Sequence, residues 1–392
     1  MIYIYEDELY KNFLPCVYLR PVFALYCGHL SLYEKIKQLY PAENFELLVR
    51  PLLASFVKET YPNIAVNDII KNDTISLFLS ARTILREPIE ISGEEEIFVT
   101  ENNDLVGLRT QNSRIKQIPI NTKAILNWRL PKKQVKTISV KYLWELIELN
   151  HQELINDFSK PAIHGKFSPH AFIIGDISNL YLGVDAEIEA GAIIDLRSGP
   201  IYIDANAKIL ALSKISGPAY IGKNTILDQA KISGGTTIGK NCRVSGEIES
   251  SIFHGFVNKH HYGFIGHSYI GEWVNLGAGT TNSDLKNNYS TVKVKLGNKE
   301  IDTKQMKVGC FIGDHAKTAI GTMIPTGAVI GIFANVFEPR ANLKSISNFY
   351  WTKGTRWLIE KAITTARVVM SRRNVALTKT QEALISKIYK TK

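Results

Sequence analysis

The pattern of apolar and polar positions divides the chain into three parts. Residues 1 to about 158 mix short apolar runs with segments of helical apolar spacing, such as Ser31 to Tyr40 and Ser139 to Asn156. Apolar residues three and four apart indicate helices, and the short runs between them indicate strands. We interpret the Lys-rich stretch from Pro131 to Lys141 as a connection. Alternating strand and helix signals predict an α/β domain over residues 1–158.

A period of six residues governs the second part, from about residue 159 to 345. Helices require apolar spacing of three and four, and half-buried strands require two, so neither explains a sustained period of six. The period is typical of hexapeptide repeats, whose short strands and tight turns wind into a parallel β-helix with a narrow apolar bore. The bore positions are Leu182, Ile188, Ile194, Ile203, Ile209, Ile215, Ile221, Leu227, Ile232, Ile238, Val244, Phe264, Ile270, Leu276, Ile312, Ile324, Ile330 and Val336.

The period lapses twice, between Val244 and Phe264 and between Leu276 and Val308. Residues 282–305 are polar and rich in Lys and Asn, which predicts a loop that leaves the coil. Insertions in repeat scaffolds often carry binding groups. From about Thr355 onward, apolar residues lie beside Arg and Lys at helical spacing. This pattern predicts a helical tail (346–392) packed on its own protein or on a neighbouring subunit.

Composition and charge narrow the class of protein. The chain is 45% hydrophobic and 21% charged, as in soluble globular proteins. Its four widely spaced cysteines argue against a disulfide framework or a zinc finger. The acidic N-terminus is unlike a signal peptide, and no apolar run reaches the roughly 18 to 20 residues of a membrane span. We therefore expect a cytoplasmic protein that neither spans nor binds a membrane.

The formal net charge is +10, but the lysines are spread along the chain. No zinc-finger, helix-turn-helix or RNA-recognition pattern accompanies them, so we expect no nucleic-acid binding. Dispersed positive charge is compatible with small anionic ligands.

The motif SGEIESSIFHGFVNKHHYGFIGHSYIGEWVNLGAGT runs from Ser245 to Thr280 and continues into NSDLKNNY at residues 282–289. It resembles the Bacteroidetes-type branch of the bifunctional UDP-N-acetylglucosamine pyrophosphorylase/glucosamine-1-phosphate N-acetyltransferases. The resemblance is dense over 245–340 and looser over 160–244. It implies a sugar nucleotidyltransferase-like domain (1–158), a left-handed parallel β-helix acetyltransferase domain (159–345) and the helical tail. It also implies a homotrimer with sites between neighbours.

The resemblance implies N-acetylation of an amino-sugar phosphate, most simply glucosamine-1-phosphate. Counting back from Gly277 to Thr280 places the family's catalytic base at His261 and a substrate-binding amide at Asn275. A positioned imidazole can take the proton of an ammonium near neutral pH. Lys259 lies two residues before this base, where an ammonium could bind the sugar phosphate. Further substrate-binding positions follow in the loop: Asp284, Lys286 and Tyr289.

The co-substrate acetyl-CoA is expected along the outside of the later coils. Carried over from the family, its contacts are Asp314, Lys317, Ile332 and Arg340.

The N-terminal resemblance rests on Leu14-Pro15, on Leu19 to Val22 and on Gly28. It implies uridylyl transfer from UTP with Mg²⁺. The family's signature L-x-x-G-x-G-T-x-M is absent, and Tyr26 stands where the branch carries an arginine. The expected phosphate-binding residues are Arg20 and Lys35, and the expected metal-binding residues are Asp73, Asp104 and Asn150.

Three alternatives remain open from the sequence. The chain could be a sugar-1-phosphate nucleotidylyltransferase whose β-helix serves oligomerisation. It could be a scaffold that has lost both sites. The third alternative is a zinc site like that of trimeric β-helix carbonic anhydrases, and its candidate ligands are His260, His261, His267 and His315.

Overall fold

A computed structural model of the chain describes residues 1–69, 72–337, 344–351 and 355–391. The first part is an α/β domain around a seven-stranded sheet of order β3-β2-β1-β4-β7-β6-β8, in which β1 to β4 run parallel and β7 is antiparallel to its neighbours. The strands of the whole α/β domain are β1 (Ile2–Tyr5), β2 (Phe45–Leu48), β3 (Ala65–Val66), β4 (Ile75–Ser80), β5 (Thr83–Leu85), β6 (Glu96–Val99), β7 (Leu105–Gln111), β8 (Lys132–Gln134) and β9 (Thr137–Ser139). Its helices are α1 (Leu32–Leu39), α2 (Ala54–Thr60), α3 (Thr122–Leu126) and α4 (Leu143–Asp157).

Local sequence explains these elements in part. Ser31 and Glu34 form a reciprocal capping box that starts α1, which confirms the helix predicted there. Both faces of the central sheet are buried, with Ile4 on one face and Tyr5 on the other, as the α/β prediction requires. The stretch from Pro131 to Lys141, interpreted as a connection, instead contains β8 and β9. The side chains of β8 are exposed, so that strand carries no apolar signal in the sequence.

The second part is a parallel β-helix, as predicted. Its strands are β10 (Ala162–Ile163), β11 (Lys166–Phe167), β12 (Phe172–Ile174), β13 (Leu180–Leu182), β14 (Glu187–Ile188), β15 (Ile193–Asp195), β16 (Ile201–Ile203), β17 (Lys208–Ile209), β18 (Lys214–Ser216), β19 (Ala219–Ile221), β20 (Ile226–Ser233), β21 (Thr236–Lys240), β22 (Arg243–Glu249), β23 (Ile252–Gly255), β24 (Asn258–Lys259), β25 (Phe264–Gly266), β26 (Tyr269–Glu272), β27 (Thr281–Asn282), β28 (Lys293–Leu296), β29 (Lys299–Asp302), β30 (Cys310–Ile312), β31 (Lys317–Thr318), β32 (Met323–Ile324), β33 (Ala328–Ile330), β34 (Asn335–Val336) and β35 (Ser345–Ile346).

One face of the β-helix, called the docking face below, is a ten-stranded parallel sheet of order β10-β13-β16-β19-β21-β23-β26-β30-β33-β35. Ile201 pairs with Ala219, so that coil is 18 residues long, or three hexapeptides. Tyr269 pairs with Phe311, 42 residues later, because the predicted insertion leaves the coil there. The insertion contains an antiparallel hairpin, β28–β29, rather than only a loop.

The bore confirms the sixfold pattern, with two differences. The aliphatic residues of the repeat are almost completely buried, from Leu182 to Val336. Phe264 does not point inward; Ile265 does, in register with Ile248, because the preceding coil is shortened. Lys259 pairs with the bore residue Val244 and is only 1% exposed, so a lysine occupies an apolar position.

One corner of the β-helix carries a residue in the left-handed conformation in nine successive coils. Asn tolerates positive φ because its side chain bonds locally, whereas an aromatic residue there needs support from its surroundings. In the later coils the rings stack: Trp273 on Phe256 at 4.0 Å, and His315 on Phe333 at 4.5 Å. The series is Asp185, Asn206, Asn224, Asn241, Phe256, Trp273, His315, Phe333 and Phe349.

The tail forms two helices, α5 (Ile359–Ser371) and α6 (Lys379–Lys390), instead of one. Asn374, at φ 58°, separates them. Helix α6 packs on α2, and helix α4 packs on strands of the docking face. The tail therefore packs on its own protein, and one continuous core joins the α/β domain, the docking face and the tail. In the part of the chain that the structure describes, no helix is long and apolar enough to cross a membrane.

Candidate active site

The corner between β24 and β25 presents His261 to solvent. His261 and its neighbours His260 and Tyr262 are exposed, and Tyr262 is 70% exposed. The imidazole rings of His260 and His261 lie 5.6 Å apart, centroid to centroid. The predicted base is therefore accessible to a ligand from outside the coil.

Lys259 fixes the backbone of this corner from within. Its Nζ donates to the carbonyl oxygens of Ser245, at 3.1 Å, and of His261. No carboxylate pairs with it among the described residues, and burial lowers its pKa to about 8. The predicted phosphate contact is thus a buried ammonium that holds the peptide of the candidate base.

Asn275 lies one coil above Lys259. Its Oδ1 accepts from Asn258 Nδ2 at 2.8 Å, so the two amides form a ladder along this face. Its Nδ2 has no hydrogen-bond partner within the described ranges. The amide can therefore still donate to a ligand beside the corner.

The insertion loop uses its polar residues internally. Asp284 Oδ2 lies 2.7 Å from His267 Nδ1, and Lys286 Nζ donates to the carbonyl of Thr291 at 2.6 Å. Burial of Asp284 is the largest single influence and opposes its ionisation, but the contact with His267 and the charge of Lys307 together lower the pKa of the carboxyl. Tyr289 is 67% exposed. Of these three predicted substrate contacts, Tyr289 is free to reach a ligand and the other two already have partners.

Two residues predicted for different ligands pair with each other. Arg20 Nη1 donates to Asp314 Oδ1 at 2.9 Å, and its Nη2 lies 3.1 Å from Glu272. Arg20 is 6% exposed and Asp314 is 1% exposed. Their assignments as a UTP-phosphate contact and an acetyl-CoA contact are therefore corrected, because both side chains are buried under the docked α/β domain.

The remaining predicted acetyl-CoA contacts are also on the covered side. Ile332 is fully buried, and its N–H donates to Asn348 Oδ1 at 3.1 Å. Lys317 Nζ donates to the carbonyl of His315 at 3.0 Å and lies over the ring of Trp357, and burial lowers its pKa to about 8. Arg340 lies outside the described residues. The three described residues among the predicted acetyl-CoA contacts therefore have partners within the protein.

Lys35, predicted to bind phosphate in the N-terminal domain, also has partners within the protein. Lys35 is buried and pairs with Glu153 at 2.8 Å and with Asp157, so it is not available to a free phosphate. Burial raises the pKa of Asp157 to about 6 despite this ammonium.

The three predicted metal ligands do not come together. Asp73 accepts from Ser113, Asp104 pairs with Lys141 at 2.8 Å, and Asn150 bridges the domains. Asn150 Oδ1 accepts from the Gly28 N–H, and its Nδ2 donates to the Gly235 carbonyl and to Thr237. Across the described ranges, no group of three or more His, Cys, Asp or Glu side chains is placed to hold a metal ion. This finding also gives no support to the zinc alternative.

The carboxyl ends of the parallel strands are where open α/β sheets bind ligands. Here two buried ion pairs fill that edge. Glu6, after β1, pairs with Arg50, and Asp7 accepts from Arg82 Nε at 2.7 Å. Desolvation raises the pKa of Asp7 in spite of Arg82. The carboxylates at this edge, Glu6 and Asp7, are therefore paired with cations of the protein itself.

Two further histidines have polar partners: the sequence predicts no role for His254 and names His267 only as a candidate zinc ligand. His254 Nε2 lies 2.9 Å from the carbonyl of Ala24, and its Nδ1 lies 3.3 Å from Glu272. His267 lies against Asp284. These partners are distant in the sequence, so spacing alone offers no signal for them.

Comparison with known proteins supports the resemblance. Residues 2–162 match the family model of sugar nucleotidyl transferases. A bifunctional sugar-1-phosphate nucleotidylyltransferase/acetyltransferase of Sulfurisphaera tokodaii is 36% identical over 93 residues, which is 24% of this chain and 23% of that protein. The bifunctional protein GlmU of Methanocaldococcus jannaschii is 31% identical over 87 residues, which is 22% of this chain and 21% of that protein. The matches thus span about a quarter or less of these relatives' lengths.

Among solved structures, a UDP-N-acetylglucosamine acyltransferase of Arabidopsis is 14% identical, with a TM-score of 0.27 over 54% of this chain and 80% of that chain. A similarity this low supports no conclusion about this chain. Residues 2–162 therefore match a sugar nucleotidyl transferase domain, and stretches of 93 and 87 residues are similar to two proteins named as bifunctional.

Proposed function

We propose that the chain transfers the acetyl group of acetyl-CoA to the amine of an amino-sugar 1-phosphate, with glucosamine-1-phosphate as the first choice. The observation that carries this proposal is the corner at Lys259 and His261, where a buried ammonium fixes the peptide of an exposed imidazole. The Sulfurisphaera tokodaii relative, which is named as a bifunctional sugar-1-phosphate nucleotidylyltransferase/acetyltransferase, supports the same reaction.

In the proposed reaction, His261 accepts a proton from the substrate ammonium. The nitrogen lone pair then attacks the thioester carbon and forms a tetrahedral oxyanion, for which the site must supply donors. When the oxyanion collapses, the carbon–sulfur bond breaks and the nitrogen loses its second proton. That proton passes to the departing sulfur, so the amide remains on the sugar, CoA leaves as a thiol and His261 returns its proton to solvent. Asn275, whose Nδ2 is free within the described ranges, is the donor we assign to the substrate.

We propose a homotrimer with the site between neighbours. The edge of the β-helix that carries His261 also exposes large apolar side chains: Leu212 is 73% exposed, and Ile320 and Met323 are each 80% exposed. Exposed apolar side chains that lie together mark a surface that contacts a partner. The residues predicted to contact acetyl-CoA are covered within the subunit. In the trimer, a neighbouring subunit would therefore supply the other side of the acetyl-CoA site. Sedimentation of the Ile320→Glu variant tests this assembly, and an unchanged trimer would count against this edge.

Thiol release from acetyl-CoA with glucosamine-1-phosphate tests the main proposal. We expect turnover in the wild-type chain and a loss of about a hundredfold or more in His261→Ala. The matched control is His260→Ala, on the same corner, which should keep activity. Full activity in His261→Ala would remove the base assignment, and no turnover with several amino-sugar phosphates would remove the acetyltransferase.

A second activity, uridylyl transfer from UTP to the acetylated sugar phosphate, is favoured by the family match over residues 2–162. This reaction uses Mg²⁺, but the described carboxylates at the strand ends are held by Arg50 and Arg82 and do not fit a metal site in this arrangement. We therefore derive no step through the ion. Pyrophosphate release from UTP and N-acetylglucosamine-1-phosphate tests this half. If neither thiol release nor pyrophosphate release is observed, the remaining alternative is a scaffold without enzymatic activity.

We place the protein in the cytoplasm, where acetyl-CoA and UTP are made available. All four cysteines are free and buried, which is compatible with a reducing compartment.

A further inference from the structure

A cavity of about 430 Å³ lies between the two domains, away from the His261 corner. Helix α4 contributes Glu148 and His151 to one wall, and the insertion contributes Gln305 to Val308 to another. The turn at His267, between β25 and β26, forms a third wall. A volume of this size is within the usual range for small-molecule sites.

His267 is held in this cavity by both its backbone and its side chain. Its N–H donates to the Glu249 carbonyl at 3.0 Å and its own carbonyl accepts from Gly309 at 2.8 Å, so neighbouring coils fix its backbone. Its Nδ1 lies 2.7 Å from the carboxylate of Asp284. A carboxylate accepts hydrogen bonds, so the neutral ring has its proton on Nδ1 and its lone pair on Nε2. Nε2 has no partner among the described residues.

The rest of the lining suits an anionic, hydroxylated ligand. Lys307 is half-exposed and has only a loose contact with Glu249, at 3.8 Å, so its ammonium can meet a phosphate. Glu148 and Gln305 are hydrogen-bonded to each other at the rim and can exchange that bond for sugar hydroxyls. Trp144 and Ile147 supply an apolar base.

We propose that this cavity is a second binding site, for a monosaccharide phosphate, in which His267 Nε2 accepts a hydrogen bond from a sugar hydroxyl and Lys307 binds the phosphate. Asp284 acts through His267 as a positioning residue and does not touch the ligand. The site is formed by α4 and the insertion together, so its occupation bridges the α/β domain and the β-helix. It does not depend on acetyl transfer at His261.

Calorimetric titration of the full chain with N-acetylglucosamine-1-phosphate, in the absence of acetyl-CoA, tests the proposal. The measurement is made in a His261→Ala, Asn275→Ala background, which removes the base and the assigned substrate donor of the His261 corner, so that the remaining binding reports on the cavity. We expect saturable binding that weakens at least tenfold in His267→Gln and in Lys307→Gln. The matched controls are His260→Gln and Lys304→Gln, which lie outside the cavity lining and should leave the affinity unchanged.

Two further probes define the ligand class. Methyl glucoside lacks the phosphate and inorganic phosphate lacks the sugar, so each should bind at least tenfold more weakly. Equal affinity for inorganic phosphate would overturn the sugar assignment. Equal affinity in wild type, His267→Gln and Lys307→Gln, or no binding at all, would overturn the site. Acetyl transfer could still proceed in that case, so the two proposals fail independently.

Discussion

Arg20 and Asp314 are 294 residues apart in the sequence and form an ion pair of 2.9 Å across the domain boundary. Glu272 completes the group: its side chain meets Arg20, and its N–H donates to Asp314 Oδ1 at 2.6 Å. Burial raises the pKa of Asp314 despite the guanidinium. Burial is also the largest single influence on Glu272, but Arg20, His254 and Lys240 together outweigh it and lower the pKa of that carboxyl. The segment after β1, which contains Arg20, therefore fastens the α/β domain to the β-helix.

Replacement of Arg20 by Met should destabilise the protein strongly. Removing one partner of a buried pair leaves an uncompensated charge, which costs about 3–5 kcal/mol. Denaturant unfolding of Arg20→Met measures the effect. The control is Arg197→Ala, whose exposed pair with Asp195 should contribute at most about 1 kcal/mol. Equal losses in both variants would mean that the buried pair does not fasten the domains.

Replacement of His315 by Phe should stabilise the protein. His315 is stacked between Trp273 and Phe333, its buried Nδ1 has no partner within the described ranges, and Phe occupies the same corner in three other coils. Losing an unsatisfied buried group should raise the free energy of unfolding by about 1 kcal/mol at pH 7.

The gain in the free energy of unfolding that His315→Phe produces should increase as the pH falls. Burial lowers the pKa of His315 to about 3, from 6.5, so the folded ring stays neutral. The unfolded chain binds a proton below pH 6.5, and stability is therefore lost as the pH falls from 6.5 toward about 3. Unfolding at pH 7 and pH 5 measures the change. An equal pH dependence in wild type and variant would contradict the assignment.

Replacement of Lys259 by Met should separate stability from activity. Because the pKa of Lys259 is lowered, the unfolded chain holds the proton more tightly than the folded chain between about pH 8 and 10.5. Wild-type stability therefore rises with pH across that window, and below it the folded protein bears the full free-energy cost of a buried ammonium. Met removes the penalty, and we expect a net gain of about 1 kcal/mol at pH 7 after two hydrogen bonds are lost.

Acetyl transfer by Lys259→Met should nevertheless fall by about tenfold or more, because the peptide of His261 is released. The exposed Lys223→Met is the control and should change neither quantity. A variant that is both less stable and fully active would show that Lys259 only fills the bore.

Replacement of Asn150 by Asp separates its structural role from a metal role. A carboxylate can accept from Gly28 but cannot donate to the Gly235 carbonyl, so we expect a loss of about 2–3 kcal/mol. Asp73→Asn, at an exposed position, should change stability by less than about 0.5 kcal/mol. Unfolding with and without Mg²⁺ measures both. Tighter Mg²⁺ binding by Asn150→Asp would restore the metal assignment.

The sequence by itself determined the β-helix, because a bore accepts one inward side chain per strand and this constraint repeats every six residues. It also located the insertion, where the period stops, and the exposed corner at His261, where a dense local motif lies. Helix α1 was predictable from its own capping residues Ser31 and Glu34. These features depend on contacts within a coil or a turn of helix, so neighbouring residues encode them.

Only the tertiary structure decided which side of the β-helix is covered. Arg20, Asp314 and Ile332 carry no local sign that they will meet, since their contacts depend on how the α/β domain docks. The same docking assigned Asn150 to a bridge between domains and created the cavity beside His267. Pairing between distant segments follows from packing of whole surfaces, and a charged or apolar residue looks the same in the sequence whether a ligand or another domain covers it.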